Sequence, residues 1–546
     1  EHLAELARDA YAPKDRGAAL EDDEQDDVGV DSSLDTWDTW DGIRTICDYN
    51  SRLSVALELP RKLPQQFIQD RWYSEPVRSI FLQRTTFIRN AAGFPVFAKP
   101  HQDYLNRLMR LRLPPCILLS DVGSLEVVDS QATAIEPTPA EAAKHSVEKP
   151  TAHLQYIRHL QQNQPTLPII ERFGQGYQDY MQSPLQPLAD NLESITYEVF
   201  EKDPIKYDWY ERAIALALTD LAETLGPATE VIVAVVGAGR GPLVSKAILA
   251  SQISGVKARF WAVEKNPNAY VHLQRRNITD PLWDKRVTVT KTDMRAWKGP
   301  VLDGQLCKVH ILVSELLGSF ADNELSPECL DGVQHVLDPE HGINIPQSYT
   351  AHATPIATPR LHTDLIGRAG AEKWEIPYVV MLQQHDFLAT SDDTRIPDVQ
   401  LAWQFSHPIT TVILAQAEAR KGGSAEHGGA GGAVGGDGGN EHNSRYCKLS
   451  FTCHSRGTCH GLAGYFETML YTSKAGQKVE LSTNPVTMEA KSKDMISWFP
   501  IFFPLKTPMH VPDGAEMEVS LWRQTDDRKV WYEWVVEVYV RYAGKR

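Results

Sequence analysis

One segment decides the fold of this chain, and it reads Val231-Ile232-Val233-Ala234-Val235-Val236-Gly237-Ala238-Gly239-Arg240-Gly241-Pro242. Six consecutive apolar residues, most of them β-branched, are typical of a strand that a parallel sheet buries on both faces. A glycine-rich turn follows, and a helical pattern starts at Leu243. A strand, a glycine-rich turn and a helix in this order open a nucleotide-binding α/β fold. Glycine lets the backbone approach a ligand closely and leaves amide groups free to donate hydrogen bonds to it.

The next two strands of this pattern lead to acidic residues that suit one class of ligand. Residues 258–263 have the pattern of a second strand, which ends in Glu264, where a carboxylate can accept hydrogen bonds from ribose hydroxyls. Residues 287–290 have the pattern of a third strand, and Asp293 and Met294 follow it, where an acid can accept a hydrogen bond from an adenine amino group. The glycines are spaced G-x-G-x-G, whereas dinucleotide sites have G-x-G-x-x-G. The pattern favours S-adenosylmethionine as the cofactor and disfavours a nicotinamide oxidoreductase, and a turn that binds no ligand stays open.

Two glutamates follow a fourth strand, in the stretch Val309-His310-Ile311-Leu312-Val313-Ser314-Glu315-Leu316-Leu317-Gly318-Ser319-Phe320-Ala321-Asp322-Asn323-Glu324. Ligands bind at the carboxyl ends of the strands in an open α/β sheet, which is where Glu315 and Glu324 lie. Two carboxylates could share one proton, as in acid hydrolases, or hold one guanidinium by bidentate hydrogen bonds. By position alone, a structural role for two loop glutamates also stays open. A methyl donor nearby favours the guanidinium, because two anions draw its positive charge away from the nitrogen that reacts.

Short apolar runs alternate with helical patterns between Trp37 and Asn163. Residues 53–59, 94–98 and 116–120 have the composition of strands. Strand, helix and strand in this order predict parallel βα units, about four of them, whereas a closed barrel has eight. We therefore expect a partial TIM-type βα barrel over residues 1–165. The acidic residues 21–27 and the Ala-, Glu- and Pro-rich residues 126–150 are predicted to be a tail and a surface insertion.

After Ile345 the pattern changes to many short strands with turn signals, which is typical of an antiparallel sandwich or barrel. Examples are residues 378–382, 479–481 and 530–540. Residues 422–439 are mostly glycine and are predicted to be a disordered insertion without chemistry. The expected fold class is therefore α/β plus β, with a Rossmann-like catalytic domain over residues 166–342 and an antiparallel β-barrel over residues 343–546.

The composition narrows the classes of function. The chain of 546 residues is 42% apolar and 23% charged, which is typical of a soluble globular protein with several domains. Its formal charge of −16 argues against direct nucleic-acid binding and fits cationic partners. Seven cysteines in this length indicate a reducing, intracellular compartment. Cys453-His454 and Cys459-His460 match no common zinc spacing and lie in strand-like sequence, so no metal site is expected.

At this point the double-glutamate stretch, residues 314–324, resembles the corresponding loop of the protein arginine methyltransferases. Further segments resemble the members of that family that make symmetric dimethylarginine, namely residues 187–193, 196–207, 237–242, 262–269 and 497–504. The resemblance extends from about Trp37 to about Val536. It implies an N-terminal βα barrel, a Rossmann-like methyltransferase domain, and a C-terminal β-barrel with a dimerisation element. It also implies methyl transfer from S-adenosylmethionine to arginine.

The resemblance assigns roles to individual residues. Glu315 and Glu324 are implied to hold the substrate guanidinium. The residues implied to form the donor site are Tyr197, Lys206, Tyr207, Gly237, Gly239, Arg240, Glu264, Asp293 and Met294. Phe200 stands where members that make the asymmetric product usually have Met, and its ring is implied to stack on the guanidinium and select the product. Leu316 and Trp498 complete the set implied for substrate specificity. Without the family, Tyr197 and Phe200 are simply one face of a helix.

The partners follow from the same resemblance. The expected substrates are proteins with arginine in Gly/Arg-rich segments, such as histones and RNA-binding or splicing proteins. A homo-oligomer of two or more copies is expected, in the cytoplasm and the nucleus, with no direct contact to nucleic acid or membrane. Animal members hold a WD-repeat partner on the barrel, and that partner is an open expectation here. The alternative function is a scaffold that binds the donor without catalysis, and the presence of both glutamates argues against it.

Overall fold

The computed structural model describes residues 34–122, 151–188, 190–226, 229–391, 395–420, 440–526 and 528–540. Three predicted segments lie outside the described residues, namely the acidic residues 21–27, the insertion at 126–150 and the glycine-rich residues 422–439. The described helices include none with the length and hydropathy that crossing a bilayer requires.

A three-stranded parallel sheet forms the centre of the N-terminal region. Its strands lie in the order β1 (Val55–Glu58), β2 (Val77–Gln83) and β5 (Cys116–Ser120). Helices whose buried side chains join one hydrophobic cluster with this sheet are α1 (Asp35–Ile46), α2 (Gln66–Ser74), α3 (Lys99–Met109) and α4 (Ala152–Gln162). The parallel strands alternate with helices, as the βα pattern predicts.

Two details of this region differ from the sequence prediction. Residues 94–98 do not join the parallel sheet, and β4 (Pro95–Val96) instead pairs antiparallel with β3 (Ile88–Arg89). Proline lacks the N–H that an interior strand donates, so it is excluded from the middle of a sheet. The sequence pattern does not predict the central strand β2, because the polar residues Arg78 and Ser79 interrupt its apolar pattern.

The central sheet has five parallel strands, namely β6 (Val231–Val236), β7 (Ala258–Glu264), β8 (Val287–Lys291), β11 (Ile311–Ser314) and β12 (Ile343–Ile345). They lie in the order β12-β11-β6-β7-β8. All six residues of β6 are buried, which explains their apolar composition. The chain passes from β6 to β7 and β8 on one side and to β11 and β12 on the other, so the strand order reverses between β6 and β11. A ligand crevice forms at such a reversal. A hairpin of β9 (Val301–Leu302) and β10 (Gln305–Leu306) precedes β11 in the chain.

The helices of the central region begin where the sequence provides start signals. Four of them have proline in the first turn, where its missing N–H costs no hydrogen bond. The side chains of Asp203 and Asn266 accept hydrogen bonds from the first turns of two of these helices. The helices of this region are α5 (Ile169–Phe173), α6 (Ser194–Phe200), α7 (Pro204–Leu225), α8 (Pro242–Ser254), α9 (Pro267–Thr279) and α10 (Ser326–Val333).

The C-terminal region is built from antiparallel strands, which confirms the expected fold class. The strands are β13 (Ser348–Ala357), β14 (Tyr378–Val379), β15 (Asp386–Phe387), β16 (Gln400–Ser406), β17 (Arg445–Cys453), β18 (Gly457–Thr472), β19 (Lys478–Ser482), β20 (Ile501–Val511), β21 (Ala515–Thr525) and β22 (Val530–Tyr539). The larger sheet has the order β14-β20-β18-β13-β15, in which β16 also pairs with β13 and β19 with β18, and a second sheet has the order β17-β21-β22. The helices are α11 (Pro359–Ile366), α12 (Thr411–Arg420) and α13 (Met488–Lys491).

One hydrophobic cluster joins the two C-terminal sheets to a face of the central sheet. It contains Ile232 and Leu312 of the central sheet together with Phe451, Phe466 and Leu521 of the C-terminal sheets. Phe320, which lies between the two predicted glutamates, is buried in the same cluster. The C-terminal region therefore packs directly behind the double-glutamate loop.

Candidate active site

A cavity of about 410 Å³ lies at the carboxyl edge of the central sheet. Its lining includes residues that directly follow β6 and β11, the two strands between which the order reverses. Twelve of the fourteen predicted site residues line it, namely Tyr197, Phe200, Tyr207, Gly237, Gly239, Arg240, Glu264, Asp293, Met294, Glu315, Leu316 and Glu324. The other two, Lys206 and Trp498, lie next to the lining residues Glu315 and Leu317.

The glycine-rich turn approaches the cavity with its backbone. Gly237, Gly239 and Gly241 have φ angles of 68°, 55° and 91°, which are left-handed values that favour glycine. A Cβ atom on Gly239 would lie 3.1 Å from the ring of Tyr197, and one on Gly237 would lie 3.0 Å from Leu316. The sequence therefore has glycine here for both conformation and space, and a side chain would fill the crevice.

Glu264 ties the turn to the next strand. Its buried carboxylate accepts hydrogen bonds from the backbone N–H of Gly239 and from that of Asn266, both at 2.7 Å. Burial raises the pKa of Glu264, and these backbone hydrogen bonds oppose the rise. Each carboxylate oxygen keeps a further acceptor position. Glu264 can thus hold the turn and still accept hydrogen bonds from a ligand.

Asp293 follows β8 and also lines the cavity. Its carboxylate accepts from the backbone N–H of Arg295 at 3.0 Å and from the Arg295 guanidinium at 3.0 and 2.8 Å. Burial acts to raise the pKa of Asp293, but the hydrogen bonds from Arg295 lower it overall. Asp293 is therefore held ionised as an acceptor at this end of the cavity.

Helix α6 closes one side of the cavity and has no buried residue of its own. The Tyr197 hydroxyl accepts from Asn266 Nδ2 at 3.3 Å, and Arg240 donates to the Ser194 carbonyl at 3.1 Å. Arg240 also forms an ion pair with Glu201 at 3.3 Å. Glu201 and Asn266 also line the cavity without having been predicted to, although Glu201 directly follows Phe200 and Asn266 lies two residues after Glu264.

The two glutamates of the double-glutamate loop line the same cavity in different surroundings. Glu315 Oε2 accepts from the Lys206 ammonium at 3.2 Å, and Oε1 accepts from the Leu317 backbone N–H at 3.2 Å. Among the described residues, none donates a hydrogen bond to the Glu324 carboxylate. Burial, and then the nearby Glu315 charge, raise the pKa of Glu324 well above its usual value, while Lys206 lowers it. The site thus contains one carboxylate with a cationic partner and one without.

Lys206 shows that this part of the site stabilises a buried cation. Its ammonium lies 5.6 Å from the ring centre of Phe200 and 4.9 Å from those of Tyr207 and Trp498. Burial is the largest single effect and lowers the pKa of Lys206, but Glu315, Tyr207 and Asp203 together raise it overall, so the ammonium stays charged. The sequence does not predict this contact. Aromatic faces and a carboxylate around one cation are also what a guanidinium requires.

The Glu324 carboxyl, which has no cationic partner, is expected to lower the stability of the folded protein by an amount that depends on pH. Because its pKa is raised in the folded state, the folded protein keeps a proton that the unfolded chain loses, and stability falls as pH rises above about 4.5. We expect Glu324→Gln to raise the melting temperature, by more at pH 8 than at pH 5. Thermal unfolding at both pH values measures this, with the exposed Glu223→Gln as the control. An equal effect of Glu324→Gln at both pH values would contradict the raised pKa.

Three family models match the chain, and together they span most of it. The model described as "PRMT5 TIM barrel domain" matches residues 7–163. The model described as "PRMT5 arginine-N-methyltransferase" matches residues 169–345, which contain the cavity. The model described as "PRMT5 oligomerisation domain" matches residues 348–545.

Individual proteins match over nearly the whole chain. Protein arginine N-methyltransferase skb1 of Schizosaccharomyces pombe is 41% identical over 513 residues, which are 94% of this chain and 72% of that protein. Protein arginine N-methyltransferase 5 of Xenopus laevis is 38% identical over 521 residues, which are 94% of this chain and 70% of that protein. Among solved structures, a chain of the Trypanosoma brucei PRMT1 enzyme-prozyme heterotetrameric complex with AdoHcy matches with a TM-score of 0.43 and 15% identity, over 64% of this chain and 94% of that chain.

Proposed function

The chain belongs to the protein arginine methyltransferase 5 family, and from this premise we propose that it transfers methyl groups from S-adenosylmethionine to arginine side chains of proteins. The observation that carries the proposal is the convergence of Glu315 and Glu324 on the cavity that the glycine-rich turn enters. A carboxylate pair alone fits several reactions, and a glycine-rich turn alone fits several ligands. Their presence in one cavity fits a methyl donor beside a guanidinium.

The cavity residues fit the methyl donor. A volume of about 410 Å³ lies within the range of about 300–1,000 Å³ that small-molecule sites occupy. The space that a Cβ atom on Gly239 would fill is left open beside the Tyr197 ring. Glu264 stands beside the turn with acceptor positions for the ribose hydroxyls, and Asp293 with Met294 stands at the next strand for the adenine. The same end of the cavity is also lined by Tyr207, Gly237 and Arg240. Lys206 contacts the lining residue Glu315.

The chain's own residues orient the substrate. The donor, when bound, supplies an electrophilic methyl carbon on a sulfonium. Glu315 and Glu324 hold the guanidinium by hydrogen bonds to nitrogens that do not react, and they draw positive charge toward those nitrogens. The remaining nitrogen becomes a better nucleophile and attacks in line, forming the N–C bond as the S–C bond breaks. Positioning of this kind supplies much of the rate.

The raised pKa of Glu324 suits a second step. Without a cation beside it Glu324 keeps a proton, and binding of the guanidinium cation favours its ionised form, which releases that proton to solvent. The reacting nitrogen loses one proton during or after transfer, and the ionised Glu324, whose own pKa is elevated, accepts it more readily than an ordinary carboxylate. Glu315 is less suited to this step, because its carboxylate is paired with the Lys206 ammonium. We therefore assign the proton to an Oε atom of Glu324.

The product is assigned as mono- and symmetric dimethylarginine on the basis of Phe200. The Phe200 ring lines the cavity and faces the cation of Lys206 at 5.6 Å, so it lies where a guanidinium can stack on it. A rigid ring limits the orientations of a monomethylated guanidinium, and this favours methylation of the second terminal nitrogen. Leu316 lines the same cavity, and the Trp498 ring centre lies 4.9 Å from the Lys206 ammonium that Phe200 also faces.

The Phe200→Met variant tests this assignment. A flexible methionine relaxes the orientation, so we expect a detectable fraction of asymmetric dimethylarginine beside the symmetric isomer. Mass spectrometry after chromatographic separation of the two isomers measures the ratio. Val199→Met on the same helix is the matched control, because that side chain is 40% exposed. Symmetric product alone from Phe200→Met would remove Phe200 from product selection.

The proposed partners are proteins with arginine in Gly/Arg-rich segments, such as histones and RNA-binding or splicing proteins. The chain's negative charge of −16 supports cationic substrates of this kind. The match to an oligomerisation domain supports a homo-oligomer, and we propose a dimer or a higher assembly. We also propose action in the cytoplasm and the nucleus.

Incubation with a labelled methyl donor and a Gly/Arg-rich peptide tests the proposed function. We expect the label to enter the peptide, and we expect hydrolysis of the labelled peptide to release methylated arginine. The second candidate, a scaffold that binds the donor without catalysis, predicts donor binding without incorporation. Both glutamates facing the cavity favour the enzyme. Donor binding with no labelled arginine would decide for the scaffold.

A further inference from the structure

We propose that Arg523 is a positioning residue for methyl transfer, which holds the segment that carries Glu324 from within the C-terminal sheet. The proposal rests on the proposed function, because that function assigns Glu324 to the substrate guanidinium. Arg523 lies on β21, 201 positions after Asp322 of the double-glutamate loop. Its side chain is fully buried, so it reaches neither solvent nor the cavity.

The Arg523 guanidinium contacts carboxylates on both sides of Glu324 in the sequence. Nε donates to Asp322 Oδ1 at 2.7 Å, and the two terminal nitrogens donate to the two carboxylate oxygens of Glu328 at 2.8 and 3.0 Å. One terminal nitrogen also donates to the Asp322 backbone carbonyl at 3.2 Å. Because the guanidinium is planar and rigid, these contacts fix Asp322 and Glu328 relative to each other.

Two further side chains of the C-terminal region hold Asp322. Trp403 Nε1 donates to its Oδ2 at 2.6 Å, and the Tyr532 hydroxyl donates to its Oδ1 at 2.6 Å. The ring of Phe320, two residues earlier in the loop, packs edge-on against the rings of both donors. The loop is thus fixed to β16, β21 and β22 by directional contacts.

Glu324 depends on these anchors because it has none of its own. Asp322 precedes it by two residues and Glu328 follows it by four. Ala321 and Leu325 both have φ near +64°, a left-handed conformation that other parts of the structure must maintain in residues other than glycine. Since no described residue donates to the Glu324 carboxylate, the backbone between the anchors sets its direction.

Stability alone does not explain this arrangement. Burial by itself lowers the pKa of Arg523, but Glu328 and Asp322 raise it overall, so the guanidinium remains a buried cation. Buried ion pairs are often replaced by packed apolar side chains without loss of stability. What the ion pairs provide and apolar packing does not is a fixed direction for each carboxylate. A fixed direction matters here because the segment between Asp322 and Glu328 carries Glu324, which is assigned to the substrate guanidinium.

Two substitutions of different severity test the proposal. Arg523→Lys keeps the charge but loses the planar fork, and Tyr532→Phe removes a single hydroxyl from Asp322. The matched control is Arg445→Lys, because Arg445 is the cross-strand neighbour of Arg523 but donates to the backbone carbonyls of His442 and Ser444. For each variant, kcat and KM on a Gly/Arg-rich peptide, the donor Kd by calorimetry and the melting temperature are measured.

We expect kcat to fall by about 10²-fold in Arg523→Lys and by about tenfold in Tyr532→Phe, because small misplacements of catalytic groups cost rate. We expect the donor Kd to stay within about twofold, because the donor contacts lie elsewhere. If Arg523→Lys does not fold, Tyr532→Phe decides alone. Unchanged kcat in the folded variants would overturn the proposal, and so would equal losses of kcat and donor affinity, which indicate general destabilisation. An inactive parent protein would instead refute the proposed function.

Discussion

The Glu324→Gln variant is expected to lose methyl transfer by about 10³-fold or more while it still binds the donor. The Glu324 carboxylate lines the cavity without a cationic partner of its own, and so it is the one available to a guanidinium. Glutamine keeps the shape but removes the negative charge, and it places an NH₂ group against a cation that has only donors. The charge of the reacting guanidinium is then no longer drawn away from the nucleophilic nitrogen.

Initial rates with a Gly/Arg-rich peptide and donor affinity by calorimetry measure the two halves of this expectation. The Glu223→Gln variant is the control, because Glu223 is exposed on α7, away from the cavity. Substantial activity in Glu324→Gln would exclude the charge of Glu324 from the reaction. Parallel loss of donor binding would mean that Glu324 supports the donor site instead.

Glu264→Ala is expected to weaken donor binding by about 10²-fold. The carboxylate holds the backbone N–H groups of Gly239 and Asn266, and hydrogen bonds to a charged group contribute about 1.5–3 kcal/mol each. Without it, the glycine-rich turn loses an anchor and the ribose loses an acceptor. Activity at saturating donor should recover in part, because Glu315 and Glu324 are unchanged.

The contrast with a surface glutamate makes this second test specific. Glu230 lies just before β6 and its side chain is 44% exposed in an ion pair with Arg259, so Glu230→Ala should leave the donor Kd unchanged. Calorimetric titration of the donor into both variants compares them. Equal affinities for the donor would show that Glu264 does not serve the donor site. A melting temperature measured alongside separates local from global loss of structure.

The sequence was informative where one local pattern determines one local structure. Residues 231–242 predicted a strand, a turn and a helix, and the structure has β6, glycines with positive φ and α8 in that order. The carboxyl ends of neighbouring parallel strands meet at one edge, so the acids at the end of β7 and after β8 and β11 were predictably close. The resemblance to a family added Tyr197 and Phe200, which a helical face alone does not single out.

The sequence was uninformative where contacts join distant positions. The polar interruption in residues 77–83 concealed the central strand β2, and Pro95 excluded a predicted strand from the sheet. Nothing local to Arg523 indicates that it binds Asp322 and Glu328, because these residues meet only when the C-terminal sheets pack behind the loop. The ion pair of Lys206 with Glu315 likewise depends on how α7 packs beside β11.

A binding titration with two matched peptides tests most directly whether Glu315 and Glu324 hold a cation. One Gly-rich peptide carries arginine, and its partner carries citrulline, which is nearly identical in shape but neutral. With the demethylated donor product in the cavity, we expect the arginine peptide to bind at least about 100-fold more tightly, since bidentate charged contacts are lost with citrulline. The difference should nearly vanish in the Glu315→Gln/Glu324→Gln double variant. Equal affinity of the parent protein for both peptides would contradict the account.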